Sequence, residues 1–148
     1  MTLLPSFLIG CVSGLRSMSP LAVVSVLRRR PSSRRSLVDG RAVKIGLGAL
    51  ALAEAAGDKL PMAPNRIVPA GIAARIVTGG LAGAALAPGN RRALAAMLGA
   101  LGAVGVAYVS FGLRKSAMNR FGQTSTGLVE DAVALGASLW LARTAPAI

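Results

Sequence analysis

Five long apolar segments dominate the hydrophobic pattern of the chain, and polar or basic stretches separate them. The segments cover residues 2–27, 43–57, 67–87, 93–113 and 126–142. Within each segment the apolar residues follow one another almost without charges, whereas a helix of a soluble bundle alternates an apolar and a polar face. A full membrane span needs about 20 apolar residues, so the second and fifth segments are short unless their acidic residues also lie in the membrane.

This pattern predicts an all-α fold: a polytopic transmembrane helix bundle of about five spans, in a single membrane domain at residues 1–148. A four-span bundle with one re-entrant segment is the alternative. No Lys or Arg precedes the first apolar run, MTLLPSFLIGCVSGL, so we expect a retained span rather than a cleaved signal peptide. Arg16, flanked by serines and Pro20, predicts a local break within this first span.

Small residues recur at helical spacing in the third and fourth segments. Gly79 and Gly83 are four residues apart, and Ala95, Gly99 and Ala103 form a similar series. In lipid, such residues let helix backbones approach closely. We therefore expect helix packing here and assign these residues no chemistry.

The charge distribution predicts an orientation in the membrane. The chain has 17 Lys and Arg residues, and seven of them lie at residues 28–44. By the positive-inside rule this loop is expected in the cytoplasm, with the N-terminus outside and the C-terminus inside a bacterial cytoplasmic (inner) membrane. Five-span alternation places ten basic residues on the cytoplasmic side and five on the other, the latter being Lys59, Arg66, Arg114, Lys115 and Arg120.

Composition also excludes several classes of function. The net charge of +12 could suit nucleic acid, but aromatic residues make up only 3% of the chain, too few for base stacking. We therefore expect membrane lipids and no nucleic acid as partners. With one cysteine and no histidine, the common zinc sites and histidine triads are excluded, and no metal or other cofactor is expected.

Acidic residues are rare, and four of the five lie in or beside apolar segments. A charge at the bilayer centre costs roughly 3 kcal/mol, so the intramembrane charges should face the bundle interior and pair. Arg16 is expected to contact at least one of the four. The candidate solute- or ion-binding residues are Arg16, Glu54, Asp58, Lys59, Arg75, Arg114, Lys115, Glu130 and Asp131.

Two pairs of segments that contain these residues show a weak internal sequence similarity. SGLRSMSP, which contains Arg16, resembles FGLRKSAMN, which contains Arg114, and LALAEAAGD resembles TGLVEDAVA, with Glu54 opposite Glu130. Segments 1–2 and 4–5 would have opposite directions in a five-span topology. The order is that of an inverted-topology repeat with an odd helix between its halves.

Four motifs carry a resemblance to a known family. GLRSMSPL, AEAAGDKLP, AARIVTGGLAG and GLVEDAVAL resemble, in order and spacing, a bacterial membrane-protein family catalogued as domain of unknown function 4126. The resemblance covers nearly the whole chain. One departure is Ile76, where that family often has a proline after the arginine, here Arg75. The resemblance implies a membrane protein and brings no activity with it.

Three functions fit this pattern. The first is a small transporter or channel, as a homodimer, with an arginine and carboxylate site for an anionic or proton-coupled solute. The second is a non-catalytic lipid-binding or assembly protein whose charge pairs are structural. An intramembrane lipid enzyme is the third and the weakest, because the sequence contains no nucleophile motif, histidine or metal-ligand cluster.

Overall fold

The structure, a computed structural model, describes residues 3–27, 40–57 and 69–145, and in this part of the chain the regular secondary structure is all helical. The six α-helices are α1 (Leu4–Leu15), α2 (Met18–Leu27), α3 (Arg41–Gly57), α4 (Pro69–Ala85), α5 (Arg92–Phe121) and α6 (Gln123–Thr144). A short 3₁₀ helix, Gly89–Arg91, precedes α5. The all-α prediction is confirmed.

The first apolar segment is broken where the sequence predicted a break. Helix α1 ends as the backbone becomes extended at Arg16, and α2 begins two residues later. The two halves have different main neighbours: α1 packs chiefly against α5 and α4, whereas α2 packs chiefly against α3 and α6. Helix α1 also contacts α6, and α2 also contacts α4. The break therefore places Arg16 and Ser17 where several helices meet.

Helices α1, α4 and α5 form the centre of the bundle, and small residues allow their close approach. A Cβ atom on Gly10 of α1 would overlap the carbonyl of Gly99 on α5, and a Cβ on Gly83 of α4 would lie 2.5 Å from the carbonyl oxygen of Ala95. A Cβ on Gly79 would be 2.7 Å from that of Ala103. The packing role expected of these small residues is confirmed.

Helix α5 extends further than the apolar pattern predicted. The fourth apolar segment ends at residue 113, but α5 continues to Phe121 and takes in Arg114, Lys115 and Arg120, which were expected in a loop. Arg, Lys, Ala and Met are good helix formers, so loss of hydropathy alone does not end the helix. It ends at Gly122, whose φ of 80° lies in the left-handed region that favours glycine. Helix α3 similarly starts inside the basic stretch, at Arg41.

Among the described residues, large apolar side chains lie mainly on the surface. Large exposed side chains include Leu52, Leu113 and Val129, at 75%, 68% and 65% exposure, whereas the buried residues are mostly Ala, Gly and Ser together with Arg16 and Arg75. One helical stretch in the described residues, Gly89–Met118, is long and apolar enough to cross a membrane, and only 28% of its most apolar part is buried. Helices α1 and α2 are apolar but shorter. These features weakly indicate a membrane protein.

Candidate functional site

The carboxylate of Glu54 binds the start of α2. Glu54 Oε1 accepts hydrogen bonds from the backbone N–H of Ser17, at 2.9 Å, and from the Ser17 hydroxyl, at 2.7 Å. Its Oε2 accepts one from the backbone N–H of Met18, at 2.9 Å. The first N–H groups of a helix have no partner within the helix, and the helix dipole favours an anion there. Glu54 on α3 thus caps a helix that belongs to a different segment of the chain.

Arg75 binds the other side of the same break. Its Nε donates to the carbonyl oxygen of Gly14, at 3.2 Å, and its Nη1 donates to that of Gly71, one turn earlier on α4, at 3.2 Å. Gly14 lies in the last turn of α1, where carbonyls have no helical partner and the dipole favours a cation. The broken first segment therefore has a cation at the end of α1 and an anion at the start of α2.

Arg16 lies in the gap between the two halves and is 99% buried. Its Nη2 forms an ion pair with Oδ1 of Asp131 on α6, at 2.5 Å, and its Nη1 donates to the backbone carbonyl oxygen of Glu54, at 3.4 Å. The prediction that Arg16 contacts one of the acidic residues is confirmed. We call Arg16, Glu54, Arg75 and Asp131 the junction cluster, because together they join α1 and α2 to α3, α4 and α6.

A second ion pair lies apart from this cluster. Arg114 on α5 donates from Nη1 to Oε2 of Glu130 on α6, and about nine-tenths of each side chain is buried. Both residues line an open cavity of about 560 Å³. The remaining lining residues, which are mainly apolar, are Leu15, Ser110, Leu113, Ala117, Ser125, Thr126, Val129 and Val133. A volume of this size is typical of a small-molecule site.

The candidate residues thus separate into two groups. Four form the junction cluster, and Arg114 with Glu130 forms the cavity pair. Asp58 and Lys59 lie outside the described residues, as do residues 28–39, and for Lys115 the structure describes the position on α5 but not the side chain. The internal sequence similarity matched Glu54 with Glu130, but the two carboxylates have different partners. Glu54 binds the start of α2, whereas Glu130 binds the guanidinium of Arg114.

Sequence reasoning did not identify several residues of these sites. Backbone groups of Gly14, Ser17 and Met18 bind the junction cluster, and a sequence pattern gives no sign of which backbone groups a distant side chain will reach. Leu15 and Val133 look like ordinary lipid-facing residues in the sequence but line the cavity. Among the described residues, no group of three or more His, Cys, Asp and Glu side chains could hold a metal ion.

The two sites suit different chemistry. In the junction cluster every charge is directed at a helix terminus or at another charge, which favours holding the helices in register. The cavity pair instead borders open space, and a guanidinium has five N–H donors, of which Glu130 uses one in its bond to Nη1. An anion entering the cavity could therefore bind Arg114 beside Glu130 or in its place.

Comparison with known proteins identifies the family and nothing more specific. No curated protein and no solved structure matches the chain. The model of the family described as "Domain of unknown function (DUF4126)" matches residues 3–148. The chain therefore belongs to the DUF4126 family, as its motifs indicated.

Proposed function

We propose that the protein is a multi-pass integral membrane protein of a bacterial cytoplasmic membrane. The apolar surface supports this, because a soluble monomer rarely exposes large contiguous apolar patches. Leu101 and Met97 on α5 are 64% and 63% exposed, on the helix with the highest hydropathy. Helices α1 and α2 together would make one broken span, and such breaks are tolerated where protein, rather than lipid, satisfies the freed backbone groups.

We further propose that the protein is a small transporter or channel for an anionic or proton-coupled solute, working as a homodimer, with the cavity pair as its site. The observation that carries this proposal is the contact of the Arg114–Glu130 pair with an open cavity. A carboxylate that alternates between an ion pair and a free acid could bias which side of the membrane the site faces. The proposal includes no enzymatic activity.

Flux through proteoliposomes tests this proposal. Wild-type protein should pass chloride, acetate or phosphate in a manner that depends on the proton gradient, and Glu130→Gln should abolish that dependence while the protein keeps its thermal stability in detergent. Glu54→Gln is the matched variant: it should lower stability, because Glu54 caps α2. Full proton-dependent flux in Glu130→Gln would contradict the assignment.

A non-catalytic lipid-binding or assembly role is the second candidate. The junction cluster favours it, because Arg16, Glu54, Arg75 and Asp131 all bind helix ends or one another. In that case the cluster fixes the arrangement of the helices, and the protein moves no solute. Wild-type proteoliposomes that pass none of the three anions under any gradient would favour this role over transport.

A further inference from the structure

We infer that the cavity between α5 and α6 binds a single-chain amphiphile with an anionic headgroup, of the fatty-acid class, and that this amphiphile enters from the bilayer. The inference deepens the proposed function, since it rests on the same Arg114–Glu130 site and names the class of its ligand. The cavity, the placement of the ion pair along it and the local charge carry the argument.

The walls of the cavity suit an acyl chain. Leu15, Leu113, Val129 and Val133 line it, and the hydroxyl of Ser110 is already donated to the carbonyl oxygen of Ala107, at 3.2 Å. Water takes roughly 30 Å³ per molecule in the liquid, and a methylene group is of similar size. The volume of about 560 Å³ therefore accommodates about twenty heavy atoms, which is one acyl chain with its headgroup.

The ion pair lies midway along the cavity lining. Ser110 and Val133 are about one helical turn away on one side, and Ser125 and Thr126 are about one turn away on the other. Arg114 follows directly after the apolar residues 93–113 of α5, and Ser125 and Thr126 belong to the first turn of α6, near Gly122. Helix α5 has 30 residues and is about 45 Å long, so it exceeds the hydrocarbon core of roughly 30 Å and its last turns reach the interface. Val133 lies farther along α6 from this turn, so the chain would extend from the interface towards the bilayer centre.

The guanidinium of Arg114 favours an anionic headgroup. Among the described residues that line the cavity, Arg114 is basic and Glu130 is acidic. Because Glu130 uses one of the five N–H donors of Arg114, a carboxylate headgroup can bind the remaining donors.

A binding assay with cis-parinarate, an intrinsically fluorescent single-chain fatty acid, as the probe tests the inference on the full chain in detergent. Fluorescence should rise on binding, and the methyl ester of the probe should bind at least about tenfold more weakly, because it lacks the charge that Arg114 recognises. Val133→Trp should abolish binding by filling the cavity, whereas Val109→Trp should not change it. Val109 is the matched control: an exposed valine on α5 that does not line the cavity.

A single variant and a charge-balanced double variant test the role of Arg114. Glu130→Gln should bind the probe more tightly than wild type, because a competing carboxylate is removed. Arg114→Gln with Glu130→Gln should bind it at least about tenfold more weakly than Glu130→Gln alone. The double variant has no Glu130 carboxylate that has lost its guanidinium. It can therefore be measured even if Arg114→Gln alone fails to fold.

Equal binding of acid and ester, no effect of Val133→Trp, or displacement of the probe only by two-chain phospholipids would overturn the inference. Its outcome is separable from that of transport. Proton-dependent anion flux without probe binding would support the transport proposal and contradict the assignment of an amphiphile as the ligand. Probe binding without flux supports the amphiphile site and removes transport.

Discussion

Arg16 shows how one charged residue can be accommodated deep in an apolar bundle. Its guanidinium is 1% exposed and joins Asp131 on α6 to a backbone carbonyl on α3. Removing one partner of a buried pair costs more than the pair itself contributes, because the remaining charge stays in a medium of low dielectric. The loss of stability in an Arg16 variant therefore depends mainly on the cost of burying the Asp131 carboxylate without the guanidinium.

We expect Arg16→Leu to lower the free energy of unfolding by about 3 kcal/mol or more, since it leaves the Asp131 carboxylate without its ion-pair partner. Thermal unfolding in detergent measures this. Arg120→Leu is the control, because Arg120 is exposed, and it should change stability by less than about 0.5 kcal/mol. The double variant Arg16→Leu with Asp131→Leu should recover part of the loss. Equal stability of Arg16→Leu and wild type would contradict the assigned pairing.

Two glycines of α5, Gly99 and Gly105, differ in how much space surrounds them. Gly99→Ala should destabilise the bundle by about 1–3 kcal/mol, because a Cβ there would overlap the carbonyl of Gly79 and the facing backbone would have to move. Gly105→Ala, six residues later on α5, should be neutral or slightly stabilising, because nothing lies within 4 Å of a Cβ at that position. Unfolding of the two variants under identical conditions decides the matter, and similar losses for both would show that α5 does not pack as described.

At the scale of the element, the broken first segment is the feature that organises the bundle. Two half-helices expose carbonyls and N–H groups that a continuous helix would pair, and Arg75 and Glu54 bind them. Residues from α3 and α4 thus take the place of helical hydrogen bonds within the first segment. The same arrangement explains why α3, which has no fully buried residue, still has a defined contact with the rest of the fold.

We expect Glu54→Gln to lower the free energy of unfolding by about 1–2 kcal/mol. The amide keeps the size of the side chain, but it loses the charge at the start of α2 and replaces one acceptor oxygen by an NH2 group, which cannot accept a hydrogen bond. Hydrogen exchange should locate the effect, with faster exchange at the amides of Ser17 and Met18. Val26→Ala, an exposed position at the other end of α2, is the control and should leave exchange at these two amides unchanged. Unchanged exchange in Glu54→Gln would rule out this cap.

The sequence was sufficient for the helical fold, which follows from the apolar segments, and for the break at Arg16. It also predicted an acidic partner for Arg16, because a polar group in an apolar setting is costly, but it did not say which of four residues this would be. It was not sufficient for helix ends, since α5 continues past its apolar residues until Gly122 permits a turn. Nor did it distinguish Glu54 from Glu130. Both are carboxylates in apolar helices, and their roles depend on which distant backbone groups or side chains the packing brings to them.

For the whole molecule, orientation in the membrane is the prediction that remains to be tested. We expect the loop at residues 28–44 to be cytoplasmic, with the two ends of the chain on opposite sides. In a Cys11→Ser background, single cysteines at Ser32 and Asn90 should react with a membrane-impermeant thiol reagent from the cytoplasmic side, and a cysteine at Thr124 should react from the outside. Labelling of Ser32 from outside would reverse the topology, and labelling of Asn90 and Thr124 from one side would exclude five spans.

The position of the break also has a consequence for how the protein is made. Ribosomal synthesis proceeds from the N-terminus, so Arg16 leaves the ribosome long before Glu54, Arg75 and Asp131, which follow it in that order. Its ion-pair partner belongs to α6, the last helix among the described residues. Until that helix has been inserted, Arg16 has no Asp131 to pair with, and the first segment cannot adopt its final position in the bundle. Nascent chains that stop before residue 131 should therefore be substrates for membrane quality-control proteases, however complete their earlier helices are.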